Sequence, residues 1–152
     1  MSLSAKPPLW LHAHTEMSAL VLTHGWVATS LGALDAWPQS LRTPVQLLLQ
    51  SKQPMCLAWG PELLSVYNDG FKAFLGATPA DALGKPFRQL WSPVLHEFEP
   101  IVREVLTGVS HCVENKPVSV QGRNASGLCW FTFSWTPLYD EEGKIQGFFC
   151  IA

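Results

Sequence analysis

Charge is scarce in this sequence. Only 14% of its 152 residues are charged, and the net charge is -2. Lysine and arginine form no block, so the chain lacks a basic surface that tracks phosphates, and nucleic acid is not an expected partner. Long hydrophobic runs are missing as well. None would span a bilayer, and the opening "KPPLWLHAHTEM" is broken by prolines and histidines, unlike a secretory leader. The expectation is a cytoplasmic location with no membrane insertion in this segment. The four cysteines, Cys56, Cys112, Cys129 and Cys150, never form C-x-x-C. That argues against zinc and for buried free thiols. There is no glycine-rich phosphate loop and no Ser-His-Asp or Cys-His arrangement. Asp69 and Asp81 fall at cap and loop positions, and Glu97, Glu99 and Glu104 lie on or near the polar side of a helix. Glu114 is the one carboxylate left to watch, and this segment is not expected to be an enzyme.

What is abundant is apolar and aromatic. Hydrophobic residues make up 47%, with seven tryptophans and eight phenylalanines, enough for a bulky core. Residues 1–38 read as an N-terminal arm, loose at first, with one short amphipathic helix. Thr15 caps that helix, and Met17, Leu20 and Val21 share a face. Residues 39–152 read as the folded unit. Thr43 as N-cap with Pro44 at the first helical position starts a helix whose buried stripe is Val45, Leu48 and Leu49. "MCLAW" (55–59) and "LLSVY" (63–67) are strands joined by a Gly-Pro turn. Asn68 or Asp69 caps the following "GFKAFL", which Gly76 closes. Two short helical turns follow within 78–91. Ser92 then caps a longer helix running to Gly108, with Pro93 in its first turn and Pro100 inside it.

Three strands finish the chain. The first carries Pro117 and belongs at a sheet edge. The second, "LCWFTFSWTPL", alternates: Cys129, Phe131, Phe133 and Trp135 point one way, Trp130, Thr132, Ser134 and Thr136 the other. The third is "KIQGFFCIA". The fold class is α+β, an antiparallel sheet with its helices inserted between the second and third strands, and the first and last strands adjacent. The start "MSL" and the stop inside an apolar run suggest a C-terminally truncated piece of a longer protein.

The stretches "PMCLAWGPELLSVYNDGFKAFLG", "ALGKPFRQLW" and "CWFTFSWTPLYDEEGKIQGFFCIA" together resemble a PAS domain, over roughly residues 40–152. The preceding "GWVATSLGALDAWPQSLRTPVQLLLQS" is similar to a lead-in found before PAS domains of bacterial sensor histidine kinases. The resemblance implies a five-stranded antiparallel sheet with short helices covering one face, here with an N-terminal helical extension. It also implies a sensory domain, often homodimeric, that biases a kinase or other output domain of the same chain through ligand or partner binding. The alternative is a ligand-free dimerisation or protein-interaction module of a histidine kinase or cyclase-type protein. In that case the outward row on the alternating strand offers the surface, and the Met17/Leu20/Val21 helix covers it.

The resemblance also frames the cofactor question. Flavin-binding light sensors of this superfamily carry a cysteine in the short helix that here reads "GKPFRQLW", and Phe87 stands in its place. The late-strand positions that hold polar flavin contacts are Phe131, Phe133 and Cys150, so flavin is not expected. Haem-binding members use a histidine on the long helix. His96 lies there, but beside Pro100 and Arg103 and off the Leu95/Phe98/Val102 stripe, which turns it to solvent. Neither haem nor a metal is expected. A small apolar or aromatic ligand between sheet and helices stays open, lined by Leu57, Trp59, Tyr67, Phe71, Phe74, Phe87, Trp91, Phe98, Phe131, Phe133, Trp135 and Phe148. The same residues also read as ordinary core packing.

Overall fold

The computed structural model describes residues 8–74, 79–92, 95–119 and 128–152. In chain order the elements are α1 (Glu16–Thr23), α2 (Gln39–Gln50), β1 (Met55–Trp59), β2 (Leu64–Tyr67), a 3-10 helix (Asp69–Phe74), α3 (Pro79–Ala82), α4 (Phe87–Leu90), α5 (Leu95–Val105), β3 (His111–Ser119), β4 (Leu128–Tyr139) and β5 (Ile145–Ile151). The five strands form one antiparallel sheet in the order β2-β1-β5-β4-β3. The first and last strands are neighbours, and Pro117 sits on β3, the edge strand of the sheet.

The β1–β2 hairpin turns through Gly60 at φ +87° and Leu63 at φ +51°. Leu63 is therefore part of the turn, and β2 begins one residue later than the apolar run suggests. Gly147 on β5 lies opposite Trp59, and a Cβ there would come within 1.8 Å of the Ala58 carbonyl oxygen. Only glycine lets the two central strands approach this closely.

α2 departs from its sequence reading. It starts at Gln39, so Thr43 and Pro44 stand inside it and Thr43 is no cap. Thr43 Oγ1 instead accepts a hydrogen bond from Gln39 Nε2 at 2.8 Å. The helix start is satisfied from far away: the Glu141 carboxylate, in the β4–β5 turn, accepts from Ser40 N at 2.9 Å and from Ser40 Oγ at 2.8 Å. A carboxylate on the first-turn amides is also favoured by the helix dipole. Gly76 lies outside the described residues. Ser92 is followed by residues 93 and 94, which also lie outside them, so its capping contacts do too; α5 is seen from Leu95.

Strand pairing sorts the side chains onto two faces. Cys56 lies opposite both Tyr67 and Cys150, whereas Leu57 lies opposite Val66 and Phe149. Directly paired residues share a face. The first set looks toward α4 and α5. The second set is buried as well at Leu57 and Val66, and α2 is the helix packed against β1 and β2, through its buried Leu41, Val45, Leu48 and Leu49.

The N-terminal segment is not loose where it is described. Leu11, Met17, Val21, Trp26 and Trp37 belong to the same core as the strands. Trp26 and Trp37 meet edge-to-face at 5.0 Å, and their indole N–H groups donate to the Val21 and Gly32 carbonyls. α1 carries a Thr15–Ser18 capping box and is also held by Asp69, whose Oδ1 accepts from Met17 N at 2.9 Å. That bond puts α1 at the β2 end of the sheet. It does not cover the outward row of β4, where Thr132 and Thr136 are exposed.

Asn68 joins these parts. Its Oδ1 accepts from Met55 N and Phe71 N, each at 3.1 Å. Its Nδ2 donates to the carbonyls of Leu48 at 2.9 Å, Ser51 at 3.3 Å and Gln53 at 2.7 Å. One fully buried amide thus closes the end of α2, opens β1 and caps the 3-10 helix.

Arg88 on α4 grips Glu99 on α5 through Nε at 2.7 Å and Nη2 at 3.2 Å. The Arg88 hydrogen bond holds the Glu99 carboxyl below its usual range, against a smaller opposing effect of burial. A carboxyl depressed on folding stabilises above its unfolded pKa and loses that contribution as pH falls through the folded value. The Glu99→Gln variant is therefore expected to be less stable at neutral pH, by less than about 1 kcal/mol, with the gap closing in acid. Urea midpoints at the two pH values check this; a gap that widens in acid contradicts the assignment.

Candidate ligand-binding site

The face bearing Cys56 and Cys150 is roofed by aromatic rings from the inserted helices. Phe87 stands perpendicular to Phe148 at 4.9 Å and edge-on to Trp135 at 5.9 Å. Phe98 meets Phe133 at 5.6 Å. Trp91 sets its edge against Phe71 at 6.1 Å and Phe98 at 6.4 Å. These are the tilted and T-shaped contacts that aromatic quadrupoles favour. The helix positions follow from sequence. Phe98, Val102 and Val105 are the buried stripe of α5, and Pro86 ahead of Phe87 starts α4 one turn after Gly84, which has φ +78°.

A cavity of about 20 Å3 remains at the centre, lined by Cys56, Phe71, Phe87, Trp91, Phe98, Phe133, Trp135 and Cys150. Six of the residues picked from the sequence are therefore brought together there. Tyr67 and Phe148 share that sheet face at its margin, and Phe74 packs on Phe71 at 5.1 Å. Leu57 and Trp59 do not contribute, because strand parity turns them to the α2 side. The Phe131 side chain lies outside those described.

Sequence reading missed Cys56, and it noted Cys150 only as a late-strand residue in place of a polar flavin contact. They sit two positions before Ala58 and after Phe148, respectively, which pair with each other, so the alternation of β1 and β5 carried the signal once the two strands were known to be neighbours. They stand directly opposite each other on the two strands. Burial pushes the Cys150 thiol up, and the neighbouring Cys56 adds to this. Burial likewise raises the Tyr67 phenol, with Glu16 and Asp81 reinforcing it. Among the described residues no charged side chain lines the cavity.

A volume near 20 Å3 is on the scale of one water, whereas small-molecule sites run to about 300–1,000 Å3. A flavin does not fit these residues: the space is too small, and among the described residues the lining offers thiols and the indole N–H groups of Trp91 and Trp135 but no amide or charged partner. Haem does not fit either, because His96 is exposed on α5. Among the described residues no group of three or more His, Cys, Asp or Glu is placed to hold a metal. The carboxylates have other duties: Asp69 caps α1, Glu99 holds Arg88, and Glu104 pairs with His111. Glu114 is exposed on β3. Of the cysteines, Cys112 is exposed, contrary to expectation, because it falls on the outward side of the edge strand.

Among the described residues no helix is long and apolar enough to cross a membrane. A PAS-fold family model matches residues 64–152. An RNA-binding light-oxygen-voltage receptor superposes with TM-score 0.55 and 19% identity over 81% of this chain and 34% of that one. The VqmA dimer of Vibrio cholerae, a LuxR-type receptor, gives TM-score 0.55 and 22% identity over 68% of this chain and 47% of that one. The PAS domain of Bordetella pertussis BvgS gives TM-score 0.51 and 19% identity over 74% of this chain and 83% of that one. The chain thus spans about a third to a half of the first two. No curated protein matches the sequence.

Thiol accessibility checks the site. In the native protein at neutral pH, iodoacetamide is expected to label Cys112 and to leave Cys56 and Cys150 unlabelled until denaturant is added. Peptide mass mapping reads each cysteine. Labelling of native Cys150 as fast as Cys112 contradicts a closed interior.

Proposed function

The chain belongs to the PAS-fold family, and we propose that it is the sensory input domain of a bacterial sensor histidine kinase. In this role it works as a homodimer, in the cytoplasm, and biases a kinase located in the same polypeptide. The observation that carries the sensory part is the aromatic cavity enclosed between the sheet and the helices that the fold inserts. A ligand that holds those rings apart changes how α4 and α5 sit on β4 and β5, and differential affinity for two packings is all a sensor requires. The kinase part is supported by the similarity of the lead-in before β1. That lead-in forms α2, which is tied to the sheet at both ends, by Glu141 and by Asn68. Structures of the same fold serve different outputs: by their descriptions one neighbour is an RNA-binding receptor and another a DNA-binding dimer. The net charge of -2 and the lack of a basic patch favour neither kind of nucleic-acid output for this segment.

The small cavity volume favours a second reading, a ligand-free docking module whose surface is the outward row of β4 with the half-buried Phe149 and Ile151 beside it.

Native mass spectrometry and autophosphorylation of the parent protein separate the two. The sensory role predicts a reproducible added mass or a ligand-dependent thermal shift. It also predicts that Phe133→Leu in the cavity wall changes autophosphorylation several-fold. A clean mass with unchanged phosphorylation supports docking, and a parent chain without a kinase domain contradicts the histidine-kinase assignment.

A further inference from the structure

One residue from each strand forms a single line across the cavity face: Tyr67 on β2, Cys56 on β1, Cys150 on β5, Trp135 on β4 and His111 on β3, each directly paired with the next. This line carries several of the polar side-chain atoms on that face, beside the buried Ser65 on β2 and the Trp91 indole. Of its members, Cys56 and Cys150 are buried directly opposite each other, and His111 pairs with Glu104. Trp135 is different. It is 2% exposed and lines the cavity, yet its indole Nε1–H has no hydrogen-bond partner among the described residues. The buried Trp26 and Trp37 both donate to backbone carbonyls, whereas Trp10 Nε1, away from the cavity, has no partner among the described residues either. An indole N–H can only donate, and buried donors in folded proteins are as a rule paired.

We propose that the cavity takes a small neutral molecule with an apolar body and one hydrogen-bond acceptor, of the ketone, aldehyde or heteroaromatic-nitrogen class, and that Trp135 Nε1–H binds the acceptor. This rests on the sensory role set out above and adds the chemical class of the ligand. Neutrality follows from the lining, which among the described residues holds no charged side chain to offset a buried ion. The apolar body follows from the rings of Phe87, Phe98 and Phe133. The acceptor follows from the unpaired donor. The present volume admits little more than the acceptor group, so the body enters by displacing a ring. Trp91 is the lining ring that is partly exposed, at the end of α4.

The test is a cycle of two probes and two proteins. Acetophenone and ethylbenzene have similar shapes, and only the ketone carries an acceptor. Affinities are measured by titration for the native protein and for Trp135→Phe, which keeps an aromatic ring and removes the N–H. The native protein is expected to bind acetophenone about tenfold more tightly than ethylbenzene, as one buried hydrogen bond provides. The preference is expected to vanish in Trp135→Phe; comparing the two probes within each protein cancels the loss of ring volume. The Trp135 indole N–H resonance of the native protein gives a second reading that does not depend on the variant folding, with acetophenone shifting it downfield and ethylbenzene leaving it in place. Equal binding of both probes with no indole shift overturns the acceptor assignment and leaves the sensory role standing. Binding of neither probe at millimolar concentration overturns both the assignment and the ligand-sensing role.

Discussion

The fold depends on a single buried amide. Five backbone groups from three elements converge on the Asn68 side chain, two donors on its oxygen and three carbonyls on its nitrogen. Asparagine suits the position because it is short and offers both donor and acceptor. Aspartate would leave the carbonyls unmatched, and an apolar residue would leave all five groups without a side-chain partner, the Leu48 carbonyl and Phe71 N–H among them in the buried interior. Asn68 therefore sets where α2 stops, where β1 starts and how the chain turns into the helices that roof the cavity. Asp69, the next residue, extends the same junction to α1. The pair that ends the second strand is thus the point where the N-terminal helices and the sheet become one structure.

Much of this was legible in the sequence, for local physical reasons. The Gly-Pro turn, the alternation of β4 and the proline on β3 each constrain the backbone within a few residues, and together they give the antiparallel order. What was not legible came from distant partners. The start of α2 is fixed by Glu141, 101 residues away, so the local Thr43-Pro44 signal lost to it. Leu57 and Trp59 looked like cavity residues by composition, but strand parity assigns them to the face under α2. Cys56 and Cys150 looked like plain apolar filler, and only their direct pairing on the two central strands places them in the cavity floor.

The interior that results is closed, aromatic and chemically quiet. Its thiols are buried, its rings interlock, and the ionic contacts, Arg88–Glu99 among them, lie outside it. The sheet and both sets of helices meet at Asn68, so a change in ring packing on one face has a short path to α2 on the other. That path is what an input domain needs to pass a signal toward an output domain.

The central claim is that the Asn68 amide, rather than apolar packing alone, joins the two layers. Urea unfolding of Asn68→Ala measures this most directly. A loss of about 3 kcal/mol or more is predicted, the scale of several buried backbone groups left unpaired. A loss below about 0.5 kcal/mol, the range of ordinary surface substitutions, would contradict it.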